Sequence, residues 1–294
     1  MANLSKRLET NVDGNFFVDS TCIDCDTCRQ LAPATFVEEG DYSVVFHQPE
    51  SGKEELAAYQ ASIACPVGSI GTVKKNSTVF SKAQASFPQH VEDGVYYAGF
   101  NSEKSFGANS YFIQHPEGNW LIDSPRYLKH LVQSFEEHGG LRYIFLSHED
   151  DVADASRYAK VFGAIRIIHR ADVQALPDAE WVIDGPEAVQ AEPGFVFIPV
   201  PGHTAGSMVL LYKDQFLFSG DHLWWDRDLQ QLGTPERLVW DNGQLEQSVR
   251  KLLHHSFEWV LPGHGERIHL DHLTMKNAVD QLIQRRWNPK HHRV

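Results

Sequence analysis

From about residue 90 onward, the apolar residues of this chain fall into two alternating periods. Between 127 and 138, Leu128, Leu131, Val132 and Phe135 recur at helical spacing on one face, and Gly139 and Gly140 follow as a stop signal. Residues 54–64, 153–162, 245–254 and 272–285 read as further helices. Short apolar runs bounded by Gly, Asn and Pro predict strands at 96–100, 110–114, 119–123, 143–147, 165–169, 195–200 and 259–261. Residues 208–212 and 215–219 flank Lys213 and Asp214 as a hairpin. Strands clustered first, then alternating with helices, predict an α+β arrangement of two sheets with helices outside.

The cysteines change the picture for the first quarter of the chain. There are four, Cys22, Cys25, Cys28 and Cys65, and the first three read Cys-x2-Cys-x2-Cys. The fourth is followed by Pro66. A tight run wraps one side of a [4Fe–4S] cube, and a distant Cys-Pro supplies the remaining thiolate. With no cysteine left over, all four are expected on one cluster. Four thiolates could also hold zinc, but the three-cysteine run with its Cys-Pro fits a cube better. Two disulfides would suit a small secreted scaffold. This chain is long and opens without a charged-then-apolar leader. Leu31, Phe36, Val44, Val45, Phe46 and Ile63 are candidates for apolar cover over the cluster.

With 294 residues, 42% of them hydrophobic, there is room for a small and a large domain. Their expected extents are 1–78 and 91–294, with a linker at 79–90 of mixed composition around Pro88. A formal net charge of −13 argues against nucleic acid as a partner. No apolar run is long enough for a bilayer, so no membrane partner is expected. Unoxidised cysteines and an oxygen-sensitive cofactor point to a reducing interior, either the cytoplasm or an organelle stroma. The tail from Lys290 to Arg293 reads as a solvated terminus.

The residues around Cys22 to Phe36, with the Cys-Pro-Val-Gly-Ser-Ile ending, resemble single-cluster bacterial ferredoxins. The remainder carries potential ligands in four turns that each follow a strand-like run. They begin at Ser147, Gly202, Ser219 and Leu261 and carry His148, His203, Asp221 and His264. Asn109 to Ile113, Leu121-Ile122-Asp123, His203-Thr204-Ala205-Gly206-Ser207, Gly220-Asp221-His222 and Pro262-Gly263-His264-Gly265 occur in the order of the metallo-β-lactamase-fold superfamily, which they resemble. That resemblance implies an αββα sandwich in which Asp123, His148, His203, Asp221 and His264 converge at one edge of the sheets. It says less about activity, because the superfamily hosts hydrolysis, redox chemistry and inactive members.

The chain departs from the family's first ligand motif, His-x-His-x-Asp-His. Laid on this sequence, the motif falls on His148, Asp150, Val152 and Ala153. The first histidine is kept, the second is an aspartate, and the Asp-His pair is lost to two apolar residues. His148, Asp150, His203 and Asp221 are therefore the expected ligands of one zinc or iron. A second position would have Asp221 and His264, aided by Asp151 or Asp154 if the loop is rebuilt. The flavodiiron branch also has a carboxylate in the second place, but it keeps the Asp-His pair and relies on a flavin domain that has no counterpart here.

His169 and His222 read as structural hydrogen-bonding residues, and Trp224 and Trp225 as pocket wall or core. The resulting expectation is an iron–sulfur protein whose large domain hydrolyses an ester, thioester or amide, with Asp150 or Asp151 as the proton acceptor. The rival is a non-hydrolytic electron-transfer or redox-sensing protein with a degenerate site. A small-molecule substrate or a redox protein is the expected partner.

Overall fold

The structure, a computed structural model, describes residues 2–288, so the tail from Lys290 to Arg293 lies outside the described residues. By compactness the chain divides into one unit of residues 1–141 with 153–162, and another of 142–152 with 163–294.

The first unit begins with the cysteine region. Strands Phe16–Val18 and Ile70–Thr72 pair antiparallel, and Phe36–Glu39 forms a hairpin with Tyr42–Val45. The helix Gly52–Ala64 starts at Ser51, whose hydroxyl accepts from Glu54 N, while the Glu54 carboxylate accepts from Glu50 N. It ends on Cys65, whose N–H donates to Ala61 O, and Pro66 prevents its continuation.

Residues 79–90, read from composition as a connection, carry regular structure. The helix Ser77–Ala85 is capped by Asn76 and packs on the preceding helix through an edge-on Tyr59–Phe80 contact of 5.9 Å. The strand Gln89–Glu92 follows and opens an antiparallel meander with Val95–Tyr97, Tyr111–Ile113 and Trp120–Ile122. The last two strands are buried on every residue. Helix Lys129–Glu137 lays Leu131, Val132 and Phe135 inward, and Phe135 stacks on Phe112 at 5.1 Å.

The second unit holds a set of parallel strands, a six-stranded sheet and the small hairpin of Trp224–Asp226 with Gln231–Gly233. Tyr143–Phe145, Ile165–His169 and Trp181–Ile183 run parallel. A six-stranded sheet has the order Val189–Glu192, Phe195–Pro199, Met208–Tyr212, Phe216–Gly220, Trp259–Pro262, Ile268–His269. Phe197 from the six-stranded sheet stacks on Phe145 of the parallel strands at 5.1 Å and meets Trp181 at 5.4 Å. Helices Asn242–Leu252 and His272–Trp287 cover the other face of the six-stranded sheet with Leu245, Val249, Leu252, Met275, Val279 and Ile283. No described helix is long and apolar enough to cross a membrane.

Arg166 is buried on its strand and is met by Glu180, whose carboxylate accepts from Arg166 Nη2 at 2.7 Å, Nε at 2.9 Å and the backbone N at 2.8 Å. These hydrogen bonds hold the Glu180 pKa at about 2 against an ordinary 4.5. A depressed carboxylate stabilises the fold above its unfolded pKa and loses that contribution as pH falls through its folded pKa. Glu180 is 45% exposed, so solvent screens the effect to a modest one. Glu180→Gln is expected to melt slightly below the parent at neutral pH. Melting curves of the two proteins should converge as pH drops from about 4.5 towards 2.

Candidate functional site

The four cysteines line one small cavity in the first unit, closed by Val18, Ile23, Val67 and Ile70. None of them is in a disulfide. Asp24 and Asp26 sit between them with left-handed backbones, φ +53° and +65°. Arg29 holds that loop by donating from Nη1 to Asp24 at 2.5 Å and Ser43 Oγ at 2.9 Å, and from Nε to Asp26 at 2.7 Å. Asp24 N lies 3.4 Å from Cys22 Sγ, and Ser69 Oγ lies 3.4 Å from Cys65 Sγ.

Burial pushes the Cys25 thiol up to about 11 and Cys28 well above its usual range, and the charges of neighbouring cysteines raise both further. Four thiolates in this space need a cationic core between them, and iron–sulfur fits that requirement. Of the residues expected to cover the cluster, Phe36, Val44, Val45 and Ile63 are buried, but Phe46 is 46% exposed. The cavity wall itself is Val18, Ile23, Val67 and Ile70. Flanking these cysteines as nearest chain neighbours or on the paired strands, they were available from the sequence once strand pairing was known.

The second constellation lies wholly in the second unit. His148 follows strand Tyr143–Phe145 on extended backbone and is 1% exposed. The 3-10 turn Glu149–Asp151 brings Asp150 back over it. Asp150 Oδ2 is 3.6 Å from His148 Nε2 and 3.4 Å from His203 Nε2. Asp221 Oδ2, at the end of strand Phe216–Gly220, is 3.7 Å from His148 Nε2, 3.8 Å from His203 Nε2 and 3.9 Å from His264 Nε2. Metal bonds of about 2.0–2.2 Å in a tetrahedron give ligand separations of roughly 3.3–3.6 Å, close to these.

His148 Nε2, His203 Nε2 and Asp221 Oδ1 are buried without hydrogen-bond partners. Ligand atoms of His148, His203 and Asp221 lie within 4.8 Å of one another. The residues therefore fit a divalent cation. Burial holds the His148 pKa below its ordinary value, keeping the ring neutral, as a ligand must be. Burial works against a charge on His203 too, but Asp150, Asp221 and the Leu238 carbonyl outweigh it and hold that pKa above the ordinary value. His203 Nδ1–H donates to Leu238 O at 2.7 Å, which aims Nε2 at the centre.

Asp172 was not singled out in the sequence. It is buried and accepts from Glu149 N at 3.1 Å, Thr204 Oγ1 at 2.6 Å and Gly206 N at 2.8 Å. It thereby ties the His148 turn to the His203 turn. Only the tertiary structure pairs it with those turns, since nothing in Arg170-Ala171-Asp172 marks it.

Asp154 has partners of its own. Its carboxylate, in the first unit, accepts from Lys104 Nζ at 2.8 Å and Tyr127 N at 2.9 Å. Asp123 also belongs to the first unit, buried with φ +56°. Asp151 is buried with Oδ2 3.8 Å from His148 Nδ1.

His169 is structural as expected, with Nδ1 accepting from Ala171 N and Nε2 near Gly185 O. His222 differs from expectation. It is packed with neither ring nitrogen hydrogen-bonded, and burial lowers its pKa to about 3. Trp224 walls an open cavity of about 850 Å3 that reaches His203, Asp221 and His264, while Trp225 packs on the core.

Gly263 shows how closely the centre is built. A Cβ there would stand 2.7 Å from Asp221 Oδ1 and 3.2 Å from Asp151 Oδ2. Gly263→Ala is expected to displace Asp221 and lower bound metal by at least about tenfold, as outer-shell changes do, with melting temperature little changed. Metal analysis beside a thermal melt checks it.

Residues 18–72 match the 4Fe-4S single cluster domain of Ferredoxin I, and residues 89–281 match the Metallo-beta-lactamase superfamily. The chain belongs to the metallo-β-lactamase superfamily and carries an iron–sulfur domain ahead of that fold. No curated protein matches it. Among solved structures it is similar to ST1585 from Sulfolobus tokodaii, an archaeal metallo-beta-lactamase superfamily protein. The two share 17% identity and a TM-score of 0.48 over 69% of this chain and 90% of that one. DIM-1 metallo-beta-lactamase exposed to ceftazidime gives 17% and 0.49 over 67% and 95%. TTHA1623 in a di-iron-bound form gives 24% and 0.45 over 62% and 94%.

Proposed function

We propose that this protein is a metal-dependent hydrolase of an ester, thioester or amide, linked to one [4Fe–4S] cluster on Cys22, Cys25, Cys28 and Cys65. The observation that carries the reading is the convergence of His148, His203 and Asp221, whose His148 Nε2, His203 Nε2 and Asp221 Oδ1 are buried without hydrogen-bond partners, with the exposed Asp150 reaching in as fourth ligand. A bound zinc or iron would supply a water of lowered pKa and polarise the scissile carbonyl.

The protein's own groups divide the remaining work. The neutral His148 ring and the Leu238-oriented His203 fix the geometry. Asp150, whose pKa is held below the usual value by the adjoining His203, is ionised at neutral pH, and the carboxylate oxygen that it does not give to the metal would orient the water and accept its proton. Ser147 Oγ, 2.9 Å from His148 Nδ1, supports that ring, and Asp151 is a second carboxylate beside it, 3.8 Å from the same nitrogen. His264, 3.9 Å from Asp221, is a spare that holds Asp221 or a water. The substrate occupies the cavity walled by Trp224.

A non-hydrolytic redox reading is favoured by Val152 and Ala153, whose side chains offer no donor for a second metal. The two readings separate on anaerobically purified protein. The hydrolase should carry about one metal beyond the cluster iron, turn over p-nitrophenyl acetate, and lose that turnover in His148→Ala. Metal-independent turnover, or none at full metal loading, leaves the redox reading standing.

A further inference from the structure

The first unit contains another cavity, of about 490 Å3, which the chemistry above does not use. It is lined from the helix Gly52–Ala64 by Tyr59 and Ile63, from Ser77–Ala85 by Phe80 and Gln84, and by Ile70 and Phe100. That volume lies within the roughly 300–1,000 Å3 common for small-molecule sites. Two cations join the apolar wall. Lys75, exposed, holds its ammonium 3.5 Å over the Phe80 ring, and Arg126, half-buried, stands 5.9 Å from the Phe100 ring centre. Among the described residues that line it there is no aspartate or glutamate. That is a marked local reversal in a chain with 39 acidic and 26 basic residues.

We propose that this cavity binds a small aromatic organic anion, a planar ring bearing one carboxylate or comparable acidic group. The ring lies against Tyr59, Phe80 and Phe100, and the acid meets Lys75 and Arg126. Aromatic walls select a flat apolar body, and two unopposed cations select a single negative charge and reject a neutral analogue.

The site adjoins the cysteine cradle. Ile70 lines both cavities. Arg126 donates from Nη2 to Ile63 O at 2.5 Å and from Nη1 to Pro66 O at 3.4 Å, on either side of Cys65. An anion on Arg126 therefore changes the electrostatic surroundings of a cluster on Cys65, and the cluster reports occupancy.

The probe is 2-naphthoate, titrated calorimetrically into the full chain with its cluster in place. Saturable binding of about one equivalent is expected, and at least about tenfold weaker binding of the uncharged 2-naphthamide. Lys75→Glu, at an exposed position, should weaken 2-naphthoate by at least about tenfold. Gln84→Trp, which fills the cavity and leaves both cations, should abolish binding. Saturation should shift the EPR spectrum of the reduced cluster in the parent protein. The proposal is overturned by no binding below about 5 mM, by equal affinity for acid and amide, by parental affinity in Lys75→Glu, or by binding that leaves the EPR spectrum unmoved. If Gln84→Trp loses its cluster, Lys75→Glu alone decides.

Discussion

Cys65→Ser is expected to leave the protein with almost no acid-labile sulfide, against about four irons and four sulfides in the parent. Cys65 is held at the end of a thirteen-residue helix by its own N–H and by the helix cap at Ser51, and it is 6% exposed. A serine hydroxyl in that place is a poor ligand for iron at neutral pH. Its loss also leaves Arg126, which braces the carbonyls of Ile63 and Pro66, beside a cavity with no anion in it. Because metal binding is coupled to folding, the first unit should lose several kcal/mol of stability, on the order of what structural metal sites contribute. Anaerobic iron and sulfide analysis with a thermal melt reads both effects. A variant retaining sulfide, or a parent holding cysteine-bound zinc without sulfide, would falsify the cluster assignment.

Asp221→Ala is expected to empty the second constellation. One oxygen of Asp221 faces His148, His203 and His264 at 3.7, 3.8 and 3.9 Å, so the change removes the carboxylate that all three rings meet. Outer-shell substitutions already cost about 10- to 100-fold in metal affinity, and a lost ligand should exceed that. Equilibrium dialysis against zinc measures the loss, and retention of metal at parental affinity would move the site elsewhere. Cluster sulfide should be unchanged, since the four cysteines do not depend on Asp221.

The local periodicities carried most of the regular structure. Residues 165–169 and 208–212 were placed correctly because their apolar runs are short, dense and bounded by turn residues. Ser77–Ala85 escaped because its apolar residues are few and its packing comes from Tyr59, a partner that sequence spacing does not reveal. The edge strands Trp181–Ile183 and Val189–Glu192 escaped for the same reason: they are partly exposed and lack a buried run.

At the candidate centre, His148, His203, Asp221 and His264 were legible because turn motifs mark them. Asp172 was not, because a supporting aspartate is defined by which two turns it bridges. The separation of Asp154 from Asp151 was likewise invisible. Three residues apart, one is taken up by Lys104 and the other lies beside His148, and only the path of the turn decides.

Gly107 carries a consequence for any attempt to move the iron–sulfur part into another protein. It lies well past the segment that matches a ferredoxin, yet with φ +88° it places its backbone where a Cβ would come within 2.7 Å of Cys25 Cβ and 2.9 Å of its sulfur. Asn101 Nδ2 reaches back to Thr27 Oγ1 at 3.1 Å and to Gly107 O at 2.7 Å, closing the same seam. The cofactor-bearing segment is thus not a transplantable cassette. Excised at its sequence boundary, it would lose the Gly107 backbone that covers the Cys25 sulfur, so a working excision has to carry residues 101–107 with it.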